Sequence, residues 1–299
     1  MPRISHVSAV RNEERFINSM IESWLREADD RSAELIIVDD HSDDDTFEIV
    51  VQWAERDVRI RPFSGRAAGL RHGKVAAFNY GIQVSRGDFV GLIAGDDLVA
   101  PGAYQSWEGA LDSFGGEDLV VAFGRLRTVS ADAKADGIVI PRRAVGNRSG
   151  GTSMFSRAIA AEVFPIPEEL ASEDTWTAYL LPALANHVVE MADIVLLYRI
   201  HSGNSNPRDR EFDDMSAWMN SRSKAYSLML DSPQLKLSPD QRNELAGLLE
   251  LEALRFAGDL SGVLSHRRSG MKERLRAASM ARPSLWRYRR LLFRYLSGW

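Results

Sequence analysis

The feature that most constrains the fold is an alternation of strand-like and helix-like segments that starts near the N-terminus. Apolar and β-branched runs at residues 4–10, 34–40 and 89–94 predict strands. Between the first two runs, apolar residues recur every four positions from Phe16 to Ala28, which predicts a helix. This alternation predicts βαβ units, and therefore an α/β fold with a mostly parallel sheet flanked by helices.

The later part of the chain changes character. Further strands are predicted near 58–63, at 118–130 and at 188–201, and helices at 46–56, 75–84 and 172–184. After residue 209 the strand pattern ends, and helical spacing continues through 209–231 and 239–257. We therefore predict two domains, an α/β domain over residues 1–206 and a helical C-terminal region over residues 207–299.

Composition narrows the class of protein. The chain has 299 residues, of which 44% are hydrophobic and 26% charged, as in soluble globular proteins. It has no cysteine, which excludes disulfides and thiolate zinc sites and fits a reducing cytoplasm. The longest apolar run, Leu119 to Phe123, is far shorter than the ~20 residues that span a bilayer. The N-terminus has no secretory apolar stretch, so we expect a cytoplasmic protein.

Two of the predicted strands end in paired acids. Asp39 and Asp40 close the second strand, and Asp96 and Asp97 follow the strand at 89–94. Ligands of such sheets bind beyond the carboxyl ends of the strands. Adjacent carboxylates repel each other, and oxygen ligands select Mg²⁺ or Mn²⁺. The alternative is structural, with aspartates capping the helices that follow.

The Gly-rich loop at residues 65–74 precedes a predicted helix. A Walker-type phosphate loop would need Gly at position 68 and Ser or Thr at position 75, where this sequence has Ala68 and Val75. Both differences argue against a nucleoside-triphosphatase. Arg71 and Lys74 remain able to meet an anion near the helix N-terminus. The alternative is an ordinary surface loop.

Two further segments carry candidate chemistry. Glu173 and Asp174 stand at the start of a predicted helix, where the helix dipole alone is a sufficient reason for acids. His201 follows the strand at 188–201 in the sequence YRIHSGNSN. From the residues alone it is a metal ligand, a phosphate donor or a plain loop histidine.

Taken in order, these segments resemble the inverting glycosyltransferases of family two, which have the GT-A fold. The resemblance runs from about residue 5 to residue 206. It is carried by VSAVRNEERFINSMIESWL, ELIIVDDHSDDDTFEIV, GKVAAFNYGIQVSRGDFVGLIAGDD, SEDTW and YRIHSGNS. Each segment is weak alone, and five in the right order and spacing are specific.

The resemblance implies a role for each candidate position. Asp40 corresponds to the acid that binds the nucleotide base, in a pocket lined by Ala9, Arg11 and Glu13. Lys74 lies in the loop near the base and diphosphate, and Asp96 faces the ribose. The implied nucleotide-sugar site, with the loop cation added, is Ala9, Arg11, Glu13, Asp40, Arg71, Lys74 and Asp96.

The same resemblance implies the metal and the catalytic groups. Asp97 corresponds to the carboxylate that holds Mn²⁺ or Mg²⁺, and His201 to a second metal or diphosphate contact. Asp174 corresponds to the general base, with Glu173 beside it near the acceptor. The family's metal motif usually reads Asp-x-Asp, and Ala94 occupies its first position here.

We therefore expect a metal-dependent inverting glycosyltransferase of hexosyl or N-acetylhexosaminyl type. Its donor would be a nucleotide-diphosphate sugar, with UDP expected, and its acceptor a glycan or a lipid-linked precursor in surface polysaccharide synthesis. One alternative is a non-catalytic nucleotide-sugar-binding protein of the same fold. Another is a nucleotidyltransferase, which would normally need a Gly-rich basic signature where the sequence reads VRNEE.

The charge is concentrated at the C-terminus. Residues 265–299 contain ten Lys or Arg and one acid, Glu273, in a chain of net charge −5. On a helical wheel, residues 284–299 separate an apolar face from an arginine face, with Arg289 on the apolar side. The apolar face is Leu285, Tyr288, Leu292, Tyr295, Leu296 and Trp299, and the opposite face is Arg287, Arg290 and Arg294. This pattern predicts either a peripheral helix on an anionic membrane or docking on protein, including self-association, and no nucleic-acid motif accompanies it.

Overall fold

The computed structural model describes residues 3–28, 32–201, 203 and 211–296, with side chains described as far as Leu291. The chain divides into two compact units. The first comprises residues 1–131 and 136–200, and the second comprises residues 132–135 and 201–299. The domain boundary predicted at residues 206–209 lies outside the described residues.

Strands of the first unit join into a single sheet. Their bounds are β1 (Ile4–Val10), β2 (Ala33–Asp39), β3 (Ile60–Ser64), β4 (Phe89–Ala94), β5 (Leu98–Val99), β6 (Val120–Ser130), β7 (Val139–Ile140), β8 (Ser153–Ser156) and β9 (His187–Ile200). The order is β3-β2-β1-β4-β8-β6-β9-β5, with β7 paired to β6. The predicted strands are confirmed to within about three residues at each end, which is ordinary for boundaries read from sequence.

Helices of the first unit connect these strands. They are α1 (Ile17–Glu27), α2 (Thr46–Arg56), α3 (Lys74–Val84), α4 (Ala103–Leu111), α5 (Arg157–Val163) and α6 (Asp174–Leu184), with one 3₁₀ turn at Gly150–Thr152. The short elements β5, β7, β8, α4 and α5 were not predicted. Their segments are too brief to show a period, and tertiary pairing determines their conformation.

The sheet has a parallel half and a mixed half. Strands β3, β2, β1 and β4 run parallel, whereas β8 pairs antiparallel with both β4 and β6. Strand β1 lies between β2 and β4. Strands β2 and β3 are added on one side of β1 and β4 on the other, so the order of strands along the chain reverses at β1. The carboxyl ends of these three strands therefore meet at one edge, which is where open α/β sheets bind ligands.

Burial on both faces explains the apolar strands. Every residue of β2 is buried, as expected of a strand covered by helices on both sides. Helix α3 packs so closely on β1 that a Cβ on Gly81 would lie 2.3 Å from Cγ1 of Val7. This packing fixes the start of α3, and with it the end of the Gly-rich loop, against the sheet.

The second unit is helical, as the sequence predicts. Its helices are α7 (Phe212–Asp231), α8 (Pro239–Phe256), α9 (Leu260–Ser265), α10 (Met271–Ala278) and α11 (Pro283–Leu296). Ser238 and Gln241 form a capping box at the start of α8. Buried Arg255 is satisfied by ion pairing with Glu252 and by hydrogen bonds to Ser216 and to the carbonyl of Met280.

The C-terminal helix is oriented differently from the simple wheel. Arg289, expected to intrude on the apolar face, is half-buried and donates to Oγ of Ser279 at 2.9 Å. Tyr288, placed on the same face as Leu285, is 67% exposed, whereas Leu285 is half-buried. The wheel misses this because it ignores contacts with other segments, such as the hydrogen bond from Arg289 to Ser279. Residues 292–299 of the predicted face lie outside the described side chains.

None of the helices in the described part of the chain is long and apolar enough to span a membrane.

Candidate functional site

The loops after β1 and β2 are joined by hydrogen bonds at the edge of the sheet. The Asn12 amide donates to Oγ of Ser42 at 3.0 Å, and the Asp43 amide donates back to Oδ1 of Asn12 at 2.9 Å. The Glu13 amide donates to Oγ1 of Thr46 at 2.8 Å. These reciprocal bonds hold the two loops in register, so residues 11–14 and 42–46 form one surface.

Asp40 is buried beneath this surface and contacts the Gly-rich loop. Its own amide donates to the carbonyl of Val10 at 2.8 Å, which fixes the residue at the end of β1. Its Oδ1 accepts the amide of Gly73 at 2.8 Å and lies 3.4 Å from Nδ1 of His41. Gly73 adopts φ +138°, which residues with a Cβ rarely do. Asp40 therefore anchors the end of the Gly-rich loop.

Asp39 has a structural role instead. Its carboxylate oxygens accept the Ser42 amide at 3.3 and 3.2 Å, closing the turn after β2. Its carbonyl accepts the Gly65 amide at 2.9 Å, and a Cβ on Gly65 would lie 2.6 Å from that oxygen. Asp39 therefore has a structural role, as the alternative for these acids proposed, but it closes a turn rather than capping the helix that follows.

Asp97 is buried at the end of β4 and has one backbone donor from a distant strand. Its Oδ1 accepts the amide of Arg199 in β9 at 2.9 Å. The Arg199 side chain donates to Oγ of Ser19 at 2.8 Å and lies 4.8 Å from the ring centroid of Phe16. Burial, and then the adjacent Asp96 carboxylate, raise the pKa of Asp97 well above its usual range, and the charge of Arg199 opposes the rise.

Glu13 shares the field of these acids. It is half-buried, and its pKa is raised to about 7, first by burial and then by the charges of Asp96 and Asp44, against a lowering by Arg199. The carboxyl groups of Glu13, Asp96 and Asp97 thus interact at the end of β4, with the charge of Arg199 opposing theirs. The result is a site with an excess of negative charge.

The donor set fits a divalent cation. A buried carboxylate with one backbone donor and acidic neighbours gains most from a metal, and oxygen ligands suit Mg²⁺ and Mn²⁺. In the described part of the chain, no three His, Asp or Glu side chains are grouped tightly enough to enclose an ion. Asp97, with Asp96 beside it, would therefore hold a metal that takes its remaining ligands from water and phosphate oxygens, as Mg²⁺ commonly does.

The Glu173–Asp174 pair lies at the start of α6. Glu173 is buried, and Nζ of Lys74 lies 3.1 Å from its Oε1 and 2.9 Å from its Oε2. Burial raises the pKa of Glu173, with Lys74 opposing the rise and Asp174 adding to it. Asp174 is half-buried and accepts Oγ–H of Ser172 at 3.3 Å. The pair thus comprises one buried, lysine-bound acid and one acid with partial access to solvent.

The remaining predicted positions are more exposed or lie elsewhere. Ala9 is half-buried at the end of β1, in register with Val38 of β2 and Ala94 of β4. Arg11 and Arg71 are exposed. His201 belongs to the second unit, where its Nδ1 accepts the Gly203 amide at 3.1 Å. Its assignment as a metal ligand stays a prediction.

Three contacts could not be found from the sequence. They are the Gly73 amide on Asp40, the Arg199 amide on Asp97, and the Lys74–Glu173 ion pair. The last two join residues about a hundred positions apart, and a backbone donor leaves no trace in residue identity. For the first contact, the glycine at position 73 before the predicted helix is the one signal in the sequence, and it does not name Asp40 as the partner.

Solved structures define the class of fold. The chain is similar to Staphylococcus aureus TarS 1–349 in complex with UDP-GlcNAc, with a TM-score of 0.61 and 15% identity over 95% of this chain and 83% of that one. It is also similar to the mannosyltransferase PcManGT of Pyrobaculum calidifontis in complex with GDP-Man and Mn²⁺, with a TM-score of 0.57 and 18% identity, over 99% of this chain and 82% of that one. The predicted GT-A fold with a helical C-terminal region is confirmed.

The family follows from the sequence itself. The profile of the family described as Glycosyl transferase family 2 matches residues 5–164, more than half of the chain. The protein belongs to glycosyl transferase family 2, as its motifs predict. An uncharacterized glycosyltransferase, EpsJ, of Bacillus subtilis is 35% identical over 105 residues, which are 35% of this chain and 29% of that protein.

A second relative agrees. An uncharacterized glycosyltransferase of Haemophilus influenzae is 33% identical over 100 residues, 33% of this chain and 38% of the relative. The chain thus matches about a third of the length of these curated relatives. They support the family and leave donor, acceptor and partners to be proposed.

Proposed function

We propose that the protein is a metal-dependent inverting glycosyltransferase that moves a sugar from a nucleotide-diphosphate donor to an acceptor hydroxyl. The observation that carries the proposal is the Glu173–Asp174 pair, bound through Lys74 to a loop that is itself anchored on Asp40. The acid that we propose binds the base and the proposed catalytic segment are thereby connected within one unit. We assign the activity to residues 1–206, with residues 207–299 as an accessory region.

The donor would bind at the edge where β1, β2 and β4 end. Asp40 would meet the base, with Ala9, Arg11 and Glu13 around it, and Asp96 would face the ribose. Arg71 is exposed on the loop above and is available to an anionic diphosphate. A UDP-sugar is the donor we propose, because one structural neighbour is described with UDP-GlcNAc, although another is described with GDP-Man.

A metal at Asp97 would act on the leaving group. When bound there, Mn²⁺ or Mg²⁺ supplies Lewis-acid neutralisation of the charge that develops on the departing diphosphate. The chain's own contribution is the placement of Asp97, which the Arg199 amide fixes from β9. His201 is retained as a proposed additional metal or diphosphate contact.

Asp174 would be the general base. The acceptor oxygen attacks the anomeric carbon, the bond to the diphosphate oxygen breaks, and the hydroxyl proton passes to the Asp174 carboxylate. Such proton transfer typically contributes about 10²- to 10⁴-fold to the rate. Attack on the face opposite the leaving group inverts the anomeric centre. Glu173, buried beside Asp174, would shape the acceptor side.

Thermal-shift binding of UDP, GDP, dTDP and CDP, each with Mn²⁺ and with EDTA, tests the donor half of this proposal. One diphosphate should stabilise the protein in a metal-dependent way, by mass action on the folded state. If none does in a folded sample, the donor assignment fails and a non-catalytic protein of the same fold becomes the better account. The matching triphosphates complete the panel, and stabilisation by a triphosphate alone would instead favour a nucleotidyltransferase.

Asp174→Asn tests the catalytic half. The variant should keep the metal-dependent thermal shift and lose transfer by about 10²-fold or more, because it removes the base and leaves the donor site intact. Sugar transfer is measured with the identified donor and a glycan or lipid-linked acceptor. Turnover at the wild-type rate would exclude Asp174 as the base.

We further propose an anionic membrane surface as a partner of the second unit, consistent with a lipid-linked acceptor. Met271 and Leu275 are exposed on α10, and Tyr288 and Leu291 on α11. Arg289 on α11 donates to Oγ of Ser279, the residue that follows α10. Residues 265–299 contain ten Lys or Arg and one acid. Exposed apolar side chains in such a basic segment are typical of helices at anionic lipid surfaces.

Vesicle co-sedimentation tests this partner. The full chain should bind phosphatidylcholine vesicles containing phosphatidylglycerol, more weakly at high salt, and pure phosphatidylcholine poorly. Leu275→Ser with Tyr288→Ser should reduce binding, and Val58→Ser, at a residue 91% exposed in the first unit, should not. Unchanged vesicle binding by the double variant would overturn the membrane assignment. So would a wild-type protein that binds no vesicles and forms a dimer, if the double variant is monomeric.

A further inference from the structure

Glu173 depends on one cation from a distant part of the chain. Its side chain is buried, and Nζ of Lys74 lies 2.9 Å from Oε2 and 3.1 Å from Oε1. Oε2 accepts no well-aligned hydrogen bond from any described residue, so the ion pair is its main compensation. A buried carboxylate that loses its partner is strongly destabilised. The position of Glu173 is therefore tied to that of Lys74.

Lys74 is itself fixed by the residue before it. It is the first residue of α3, and the preceding Gly73 donates its amide to Asp40 at 2.8 Å. Because the dipeptide is short, a movement of Asp40 or of the loop transmits to Nζ of Lys74. Two adjacent residues thus join the proposed base-binding acid to the acid of the catalytic segment.

Glu173 in turn is built into the first turn of α6. Its carbonyl accepts the amide of Thr177 at 2.9 Å and the Thr177 hydroxyl at 3.1 Å. Asp174, the next residue, begins the helix. A displaced Glu173 would therefore carry Asp174 with it, and small misplacements of catalytic groups cost up to about 10²-fold in rate.

We propose that Lys74 is a positioning residue, which holds Glu173 and through it places Asp174 for proton abstraction. This inference rests on the proposed function, and it departs from the sequence-based expectation that Lys74 serves the base and diphosphate. The distinction is testable, because a diphosphate ligand affects donor affinity whereas a positioning residue affects turnover.

Lys74→Met separates the two roles by kinetics. We expect kcat to fall about 10- to 100-fold, while the affinity for the metal–nucleotide diphosphate identified by thermal shift changes less than about threefold. Lys74→Arg should recover most of the lost kcat, because it restores a cation at the same site. Arg66→Met is the matched control, since Arg66 lies on the same loop in an exposed ion pair with Asp43 and should leave both parameters unchanged.

The opposite pattern would overturn the proposal. A Lys74→Met variant with normal kcat and weakened diphosphate binding would make Lys74 a donor ligand. Absence of any diphosphate binding by the wild-type protein would defeat the proposed function, and the kinetic comparison with it. A stability experiment keeps these two failures distinguishable.

That experiment is a double-mutant cycle in urea unfolding, with no ligand added. Lys74→Met should lower the unfolding midpoint, because it leaves the carboxyl group of Glu173 buried without its cation. Adding Glu173→Gln should recover at least half of that loss, which is the signature of two coupled residues. Additive effects of the two substitutions would show that the ion pair does not hold Glu173, and would overturn the proposal even in an active enzyme.

Discussion

Two acidic turns, one after β2 and one after β4, look alike in sequence and differ in structure. After β2, both aspartates are used by the chain itself, because Asp39 accepts the Ser42 amide and Asp40 accepts the Gly73 amide. After β4, Asp97 receives a single amide, from Arg199, and faces the carboxylate of Asp96. The same Asp-Asp dipeptide thus closes a turn after β2 and leaves excess negative charge after β4.

The difference shows what separates a structural aspartate from a candidate ligand. Backbone amides that point at a carboxylate satisfy it and stabilise the loop around it. A buried carboxylate such as Asp97, whose single amide donor is opposed by burial and by a neighbouring acid, stays electrostatically unfavourable until a cation arrives. Substitutions at the two turns should therefore act on different properties of the protein.

The largest effect should come from Asp97→Asn. We expect the metal-dependent donor shift to disappear and transfer to fall by about 10²-fold or more, since a Lewis acid contributes several kcal/mol to such a reaction. The unfolding temperature should hold or rise, because a buried charge is removed. Asp112→Asn, at a carboxylate 85% exposed, is the control. A metal-dependent shift retained in Asp97→Asn would place the metal elsewhere.

A moderate effect on stability is expected at the turn after β2. Asp40→Ala removes the acceptor of the Gly73 amide and should lower the free energy of unfolding by about 2 kcal/mol. Asp40→Asn keeps an oxygen at that position and should cost about half as much. Urea unfolding without nucleotide measures both. Equal losses in the two variants would mean that the Gly73 hydrogen bond is not what stabilises this turn.

The smallest effect is a pH dependence at Glu13. Burial and neighbouring acids raise its pKa from 4.5 to about 7, so the folded state binds the proton more tightly than the unfolded chain. The raised pKa therefore contributes stability to the folded state that is present below pH 4.5 and lost as pH rises through 7. After allowance for screening of a half-buried group, the loss is about 1 kcal/mol.

Glu13→Gln checks this dependence. Its stability in EDTA should fall less between pH 5 and pH 8 than that of the wild-type protein, by roughly 1 kcal/mol. Parallel pH profiles would mean that Glu13 is not coupled to the acids after β4. Adding Mn²⁺ to the wild-type protein should reduce the same pH slope, since a cation there opposes the shift.

Much of this architecture could be predicted because the spacing of apolar residues within each strand or helix indicates its type. The strands ending at Val10, Asp39 and Ala94 and the helix at residues 46–56 follow directly from their apolar patterns. From that alternation, the meeting of the strand ends at one edge follows by topology. The family motifs added the proposal that this edge is the donor site.

The rest depended on contacts that no local pattern encodes. Strand β8 is four residues long and enters the sheet only because β4 and β6 flank it. The sequence also could not rank Asp39 against Asp40, because their difference lies in which amide each receives. The orientation of α11 could not be predicted for the same reason, since Arg289 donates to Ser279 in the segment that follows α10.

The hydrogen-bonded loops after β1 and β2 bear on any attempt to change donor preference by directed evolution. Asn12 and Ser42, like Glu13 and Thr46, are partners across the two loops, so neither loop has an independent shape. A library that randomised residues 11–14 alone would lose the bond from the Asp43 amide to Oδ1 of Asn12, and one that randomised residues 42–46 alone would lose the acceptors of the Asn12 and Glu13 amides. Co-randomising both loops, or grafting them together as one cassette from another family member, would keep the pairing and expose the variation that matters.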